Sequence, residues 1–180
     1  MNLINEFRTL FLQLAIWTRA YIISTASGFG NVDYVSQRLF NVPLDFMNKL
    51  QLIFGTEAAE TFLNLLTRHV TLTQALVNAQ SDGDIEAVNA TVIELYGNAD
   101  EIAAFLVQIN PFWNNIQWRN LLYNYIAMTF EESTSLLAGD YARDIDVFDR
   151  ISLHSFLLGD YMANGIMQYL LVRGATQIPV

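Results

Sequence analysis

Two histidines and a small number of carboxylates are the side chains in this 180-residue chain that could bind a metal ion or transfer a proton. His69 lies within an apolar pattern that repeats at three- and four-residue spacing, formed with Phe62, Leu65, Leu66, Leu72, Thr73 and Leu76. This spacing is typical of one side of a helix and predicts that His69 points into the core. A buried imidazole needs a hydrogen-bond partner or a metal ion.

The candidate metal ligands are His69, Asp100, Asp149 and His154. Imidazole and carboxylate groups that converge in a bundle centre could hold a divalent first-row transition metal. In the alternative, which we favour, His69 donates a hydrogen bond to a carboxylate such as Asp149 or Asp100, and the site is architectural. Arg19 is then expected to pair with another carboxylate, and Tyr125 to join the polar core.

Common catalytic motifs are missing from the sequence. There is no glycine-rich phosphate loop after a strand, no G-x-S-x-G turn and no H-E-x-x-H pair. Di-iron bundles use Glu-x-x-His, but Leu66 and Ile151 stand three residues before the two histidines. We therefore lean towards a protein that is not an enzyme and has no cofactor, with the transition metal as the alternative.

The composition restricts the partners. Eighteen acidic and nine basic side chains give a net charge of −9, which repels nucleic acid. The chain has no cysteine, so disulfides and thiolate chemistry are excluded. The hydrophobic content of 53% with only 15% charged residues indicates a large core or a surface covered by a protein partner or a second copy.

Helical periodicity extends along the whole chain, and no segment shows the alternation of a strand. It predicts an all-α fold, an up-and-down bundle of four long helices with two short helices in the first crossover. The short helices are expected over 32–40 and 43–54, separated by Pro43. Residues 1–172 would form one domain and 173–180 a loose tail.

Two further interruptions are expected inside the long helices. Gly97 is expected to kink or loosen the helix that runs from Asp84 to Ile109. A capping-box pattern, Thr129-Phe130-Glu131-Glu132, is expected to break or bend the next one.

The segment 151–172 is the candidate for membrane contact, since 22 residues can span about 30 Å of hydrocarbon. His154, Asp160, Asn164 and Gln168 recur through it, and we favour a buried bundle helix. The first residues lack the basic region of a signal peptide, so we expect an intracellular protein.

Several short segments occur in this order in a known protein family: Trp17-Thr18-Arg19, Ile22-Ile23-Ser24, Leu65-Leu66 with His69, Asn98-Ala99-Asp100-Glu101-Ile102-Ala103, Ile109-Asn110-Pro111-Phe112-Trp113, and Asp140-Tyr141 with Asp144-Ile145 through Asp149. Across nearly its whole length the chain thus resembles an uncharacterised, mostly bacterial family of small all-helical proteins. Some members are labelled acetylglutamate kinase. The sequence does not support that activity, because an amino-acid kinase needs a strand-rich nucleotide-binding fold.

The resemblance also implies an older site. Histidines are common in the family at the positions held here by Leu14 and Tyr125, and with His69 they would place three imidazoles on three helices. Only His69 remains in this chain. The resemblance therefore implies a dismantled ligand site, and we expect a structural or interaction protein, as one component of a larger assembly. The alternative is a metal- or small-ligand-binding bundle around His69.

Overall fold

The computed structural model describes residues 2–175, apart from the side chain of Ala175, and this range consists of six helices joined by short connections. The helices are α1 (Leu3–Ser27), α2 (Val32–Phe54), α3 (Thr56–Asp82), α4 (Ile85–Ile109), α5 (Asn115–Leu137) and α6 (Tyr141–Ala175). The predicted all-α class is confirmed.

Each helix packs against the helices before and after it in the chain, and α6 returns to pack on α1. The neighbours are antiparallel, as shown by Phe46 against Phe62 between α2 and α3 and by Asp100 against Arg119 between α4 and α5. Helices α1, α3 and α5 also contact one another, so they form the centre of the bundle. The other three helices lie outside, each between two central ones.

The two short helices predicted around Pro43 are wrong, because α2 is one continuous helix of 23 residues. Proline removes one backbone hydrogen bond and usually kinks or breaks a helix. Here Pro43 is itself buried, on an apolar face that continues on both sides of it. That face consists of Val35, Leu39, Val42, Pro43, Phe46, Leu50 and Ile53. Its burial offsets the lost bond, and the bundle has six long helices instead of four long and two short.

Neither Gly97 nor Thr129–Glu132 breaks its helix, because α4 and α5 run through them. The Thr129 hydroxyl donates to the Tyr125 carbonyl inside α5, 2.9 Å away, and does not cap a new helix. The chain turns at Gly139-Asp140, as the sequence predicts, and Gly139 has a φ of 76°. Asp140 then accepts a hydrogen bond from the Arg143 amide at 3.2 Å, at the start of α6.

Helix α6 is 35 residues long and reaches Ala175. Residues 173–175 of the predicted tail therefore belong to α6, and residues 176–180 lie outside the described range. No helix between residues 2 and 175 combines the length and the apolar character needed to cross a membrane. Asp160, in the middle of the candidate membrane segment, binds Arg8 of α1 through two hydrogen bonds of 2.6 and 2.7 Å.

Candidate functional site

His69 lies halfway along α3 and is buried, with 4% of the residue exposed. The prediction that it points into the core is confirmed. Its ring centroid is 6.2 Å from that of Tyr125 on α5, with the two planes tilted by 42°. Because α3 and α5 are central helices, this pair sits in the middle of the bundle.

A small closed cavity of about 20 Å³ adjoins His69. Apart from His69, Trp118 and Tyr125, its lining is aliphatic or aromatic hydrocarbon: Phe11, Leu14, Phe62, Leu66, Ile102, Leu106, Leu122, Leu158 and Met162. The volume suits about one water molecule. The structure therefore brings Leu14, His69 and Tyr125 together around one cavity.

Three polar atoms around this cavity have no partner at hydrogen-bond geometry among the described residues: Nδ1 of His69, the Tyr125 hydroxyl and Nε1 of Trp118. Polar side chains nevertheless lie beside two of them, Asn98 next to His69 and Thr18 next to Tyr125. Buried polar groups in proteins are nearly always paired, with protein or with ordered water. Leaving one unpaired costs about 1–3 kcal/mol. The cavity wall is thus mostly apolar, and three polar atoms of its lining residues lack a well-aligned hydrogen-bond partner.

Burial determines the ionisation of both central rings. Desolvation lowers the pKa of His69 to about 4, against an opposing interaction with the Asn98 side chain. Desolvation raises the pKa of the Tyr125 phenol well above its usual value, and the nearby charge of Glu132 raises it further. Both rings are therefore neutral at pH 7. A neutral imidazole can bind a metal ion or accept a hydrogen bond.

The other predicted metal ligands do not join His69. Asp100 faces α5, where Arg119 Nε donates to it at 2.7 Å and the Tyr123 hydroxyl at 2.6 Å. Asp149 is exposed on α6. His154 is buried, and its Nε2 lies 2.7 Å from the Leu121 carbonyl. In residues 2–175 no group of three or more histidine or acidic side chains could hold a metal ion.

The expected hydrogen bond from His69 to Asp100 or Asp149 is wrong for the same reason. Both carboxylates belong to outer helices. Asp100 binds Arg119 and Tyr123 at the surface, and Asp149 faces solvent, whereas His69 points inward. Asn98 is the polar residue beside His69. Its amide donates to the Leu65 carbonyl at 3.1 Å.

The expected pairing of Arg19 with a carboxylate is confirmed, and it involves two of them. Arg19 Nη1 and Nη2 donate to the two oxygens of Asp144 at 2.8 and 2.7 Å. Nη1 also donates to Glu132 at 2.5 Å, and the guanidinium lies 4.6 Å from the centroid of the Phe148 ring. The sequence does not indicate these partners, because Glu132 fits the pattern of a capping box.

This buried triad of Arg19, Glu132 and Asp144 joins α1, α5 and α6. Both carboxylate side chains are at most 3% exposed. Two carboxylates share one guanidinium, and burial raises the pKa of Glu132 to about 7, with Arg19 opposing the rise and Asp144 adding to it. The triad therefore contains a carboxyl group that can hold a proton inside the bundle near neutral pH.

Fold and site together define an all-helical bundle of six helices with one histidine beside a small closed cavity. Comparison of the chain with protein-family models, with curated proteins and with solved structures finds no match.

Proposed function

We propose that this chain is a non-enzymatic structural or interaction protein that works inside the cell as one component of a larger assembly. Its partner is another protein or a second copy of the chain. The small fraction of charged residues, 15%, and the aromatic fraction of 13% motivate the proposal.

The observation that carries the proposal is a row of large apolar side chains on the outer face of α6. Ile145, Leu153 and Leu157 are 58, 66 and 56% exposed. Their spacings of eight and four residues place them on one side of the helix, together with the exposed Asp149. We call these three residues the α6 outer row. Apolar side chains grouped on a surface are common at protein interfaces.

The test is the molar mass of the purified protein by sedimentation at rising concentration, with and without extract from its native source. The proposal expects a mass above the 20.4 kDa of one chain, lost in the double variant Leu153→Ser/Leu157→Ser. A monodisperse monomer that captures no partner would overturn it.

A matched control is available on α4. Ile85 and Ile93 are also largely exposed, at 75 and 73%, and lie on a different outer helix. The double variant Ile85→Ser/Ile93→Ser makes the same loss of apolar surface elsewhere. Assembly should survive it. Equal loss of assembly in both double variants would indicate nonspecific hydrophobic association instead of a specific α6 interface.

The second candidate function is binding of a metal ion, or of a ligand about as small as one water molecule, at the cavity beside His69. Three unpartnered polar atoms around one cavity favour it. The resemblance to the family with histidines at the Leu14 and Tyr125 positions supports the same place, and we propose that the chain descends from that family. In this reading His69 is what remains of an older site.

Elemental analysis of protein purified without chelator tests the metal version, and mass spectrometry under non-denaturing conditions tests for another bound molecule. Replacement of His69 by alanine should abolish binding, and His154→Ala, whose imidazole already contacts the Leu121 carbonyl, should retain it. Less than about a tenth of an equivalent of transition metal, unchanged in His69→Ala, would exclude the metal version.

A further inference from the structure

A groove of about 600 Å³ opens at the end of the bundle where α1 turns into α2, and it is separate from the His69 cavity. Helix α3 closes its third side. Its wall contains Tyr21, Ser24, Thr25, Gly28, Gly30, Val32, Asp33, Ser36, Gln74 and Asn78. The volume falls within the range of about 300–1,000 Å³ that is usual for small-molecule sites.

The wall is rich in neutral hydrogen-bonding groups that are already held in place. The Tyr21 hydroxyl donates to Oδ1 of Asn78 at 3.0 Å, and Nε2 of Gln74 donates to the Ser36 hydroxyl at 2.9 Å. The first bond uses the phenol proton and the amide oxygen, so the amide hydrogens of Asn78 and the lone pairs of Tyr21 are left for a ligand. Thr25 Oγ1 is enclosed and has no partner among the described residues.

The electrostatics of the groove select against anions. Asp33 is the single charged residue of the wall, and no lysine, arginine or histidine belongs to it. The chain as a whole carries a net charge of −9. A cation or a neutral molecule is therefore admitted, and a cationic group would be attracted to the Asp33 carboxylate.

Two aromatic residues neighbour the lining residues in sequence, and neither belongs to the wall itself. Phe29 stands between the lining residues Gly28 and Gly30, and Tyr34 follows Asp33. Each of these aromatic residues is 76% exposed. The turn has room, because a Cβ at Gly28 or Gly30 would meet no atom within 4 Å, and both glycines have positive φ, 64° and 76°.

We propose that this groove binds a small polyhydroxylated molecule that carries an ammonium group, such as an amino sugar. The hydroxyls pair with Tyr21, Gln74 and Asn78, and the ammonium group pairs with Asp33. The site is independent of the α6 outer row and of the His69 cavity.

Three probes that share one scaffold test the proposal: glucosamine, glucose and glucuronate, which carry a positive, a zero and a negative charge. Binding is measured by amide chemical shifts of the whole chain in ¹H–¹⁵N spectra. The shifts should concentrate in residues 21–36 and 74–78, with glucosamine binding at least tenfold more tightly than glucose and glucuronate not binding. No shift in these residues with any probe, or equal binding of glucuronate, would overturn the proposal.

Matched variants separate the charge from the hydrogen bonds. Asp33→Asn should reduce glucosamine binding to the level of glucose, and Asn78→Leu should weaken both. Glu86→Gln is the control, because Glu86 occupies the first turn of α4 as Asp33 occupies that of α2, and it does not line the groove. Equal loss of glucosamine binding in Asp33→Asn and Glu86→Gln would show attraction by net charge alone and refute the site.

Discussion

Arg19 of α1 and Asp144 of α6 form a bidentate ion pair, in which Nη1 donates to Oδ1 at 2.8 Å and Nη2 donates to Oδ2 at 2.7 Å. The same guanidinium also holds Glu132 of α5. One cation thus ties together two central helices and one outer helix. Arg8 and Asp160 make a similar two-point pair between α1 and α6, but their side chains are 41 and 30% exposed.

Replacement of Arg19 by methionine should destabilise the fold strongly. It would leave the buried carboxylates of Glu132 and Asp144 without a cation, and breaking a buried pair in this way costs about 3–5 kcal/mol. The same replacement at Arg8 should destabilise the fold much less, since solvent screens that pair. Urea unfolding of both variants at pH 7.5 measures the difference. Similar losses would contradict the burial of the triad.

Glu132 should make stability fall as pH rises. Its pKa is raised from 4.5 to about 7 in the fold, so the folded chain binds more protons than the unfolded chain between these values. The contribution of Glu132 to the free energy of unfolding is fully present below pH 4.5 and is lost as pH rises to about 7. The loss is about 3 kcal/mol at most. Unfolding free energies of wild type and Glu132→Gln, compared from pH 4.5 to 8, should differ by this slope. Parallel curves would contradict it.

His69 should act in the opposite direction. Its pKa is lowered from 6.5 to about 4, so the unfolded chain binds more protons in this window. Stability should fall as pH decreases from 6.5 to 4, again by about 3 kcal/mol at most. In the wild type the pH dependences caused by Glu132 and His69 partly cancel between pH 4.5 and 6.5. Each is therefore measured as the difference between the wild type and the variant of that residue. His69→Gln should remove the acid-side loss, and an unchanged pH profile would show that His69 is not desolvated.

Local signals in the sequence were sufficient for most of the fold. Gly28, Gly83 and Gly139 end helices in positive-φ conformations, and Asp84 caps α4 by accepting from the Ala87 amide at 3.0 Å. Such turns depend on the chemistry of a few neighbouring residues, which is readable without a structure. The inward position of His69 followed from periodicity in the same way.

The errors concern residues whose role depends on another helix. Pro43 looks like a helix start, yet its buried face against neighbouring helices keeps α2 continuous. Glu132 fits a capping box, yet it turns inward to Arg19, which is 113 residues away in the chain. The sequence predicts Asp100 as a partner of His69, whereas Arg119 and Tyr123 bind it at the surface. Long-range partners of this kind leave no periodic signal in one sequence.

Two glycines inside helices should respond oppositely to replacement by alanine. At Gly159 of α6 a Cβ would lie 2.5 Å from the backbone nitrogen and 2.6 Å from the Cα of Arg8 in α1. Backbone atoms cannot move aside cheaply, so Gly159→Ala should force α1 and α6 apart and cost about 1–3 kcal/mol.

At Gly97 of α4 a Cβ would meet nothing within 4 Å. Gly97→Ala should therefore stabilise the chain by about 0.5–1 kcal/mol through helix propensity alone. Thermal and urea unfolding of the two single variants check both signs. Stabilisation by Gly159→Ala would mean that α1 and α6 do not approach as closely as this packing requires.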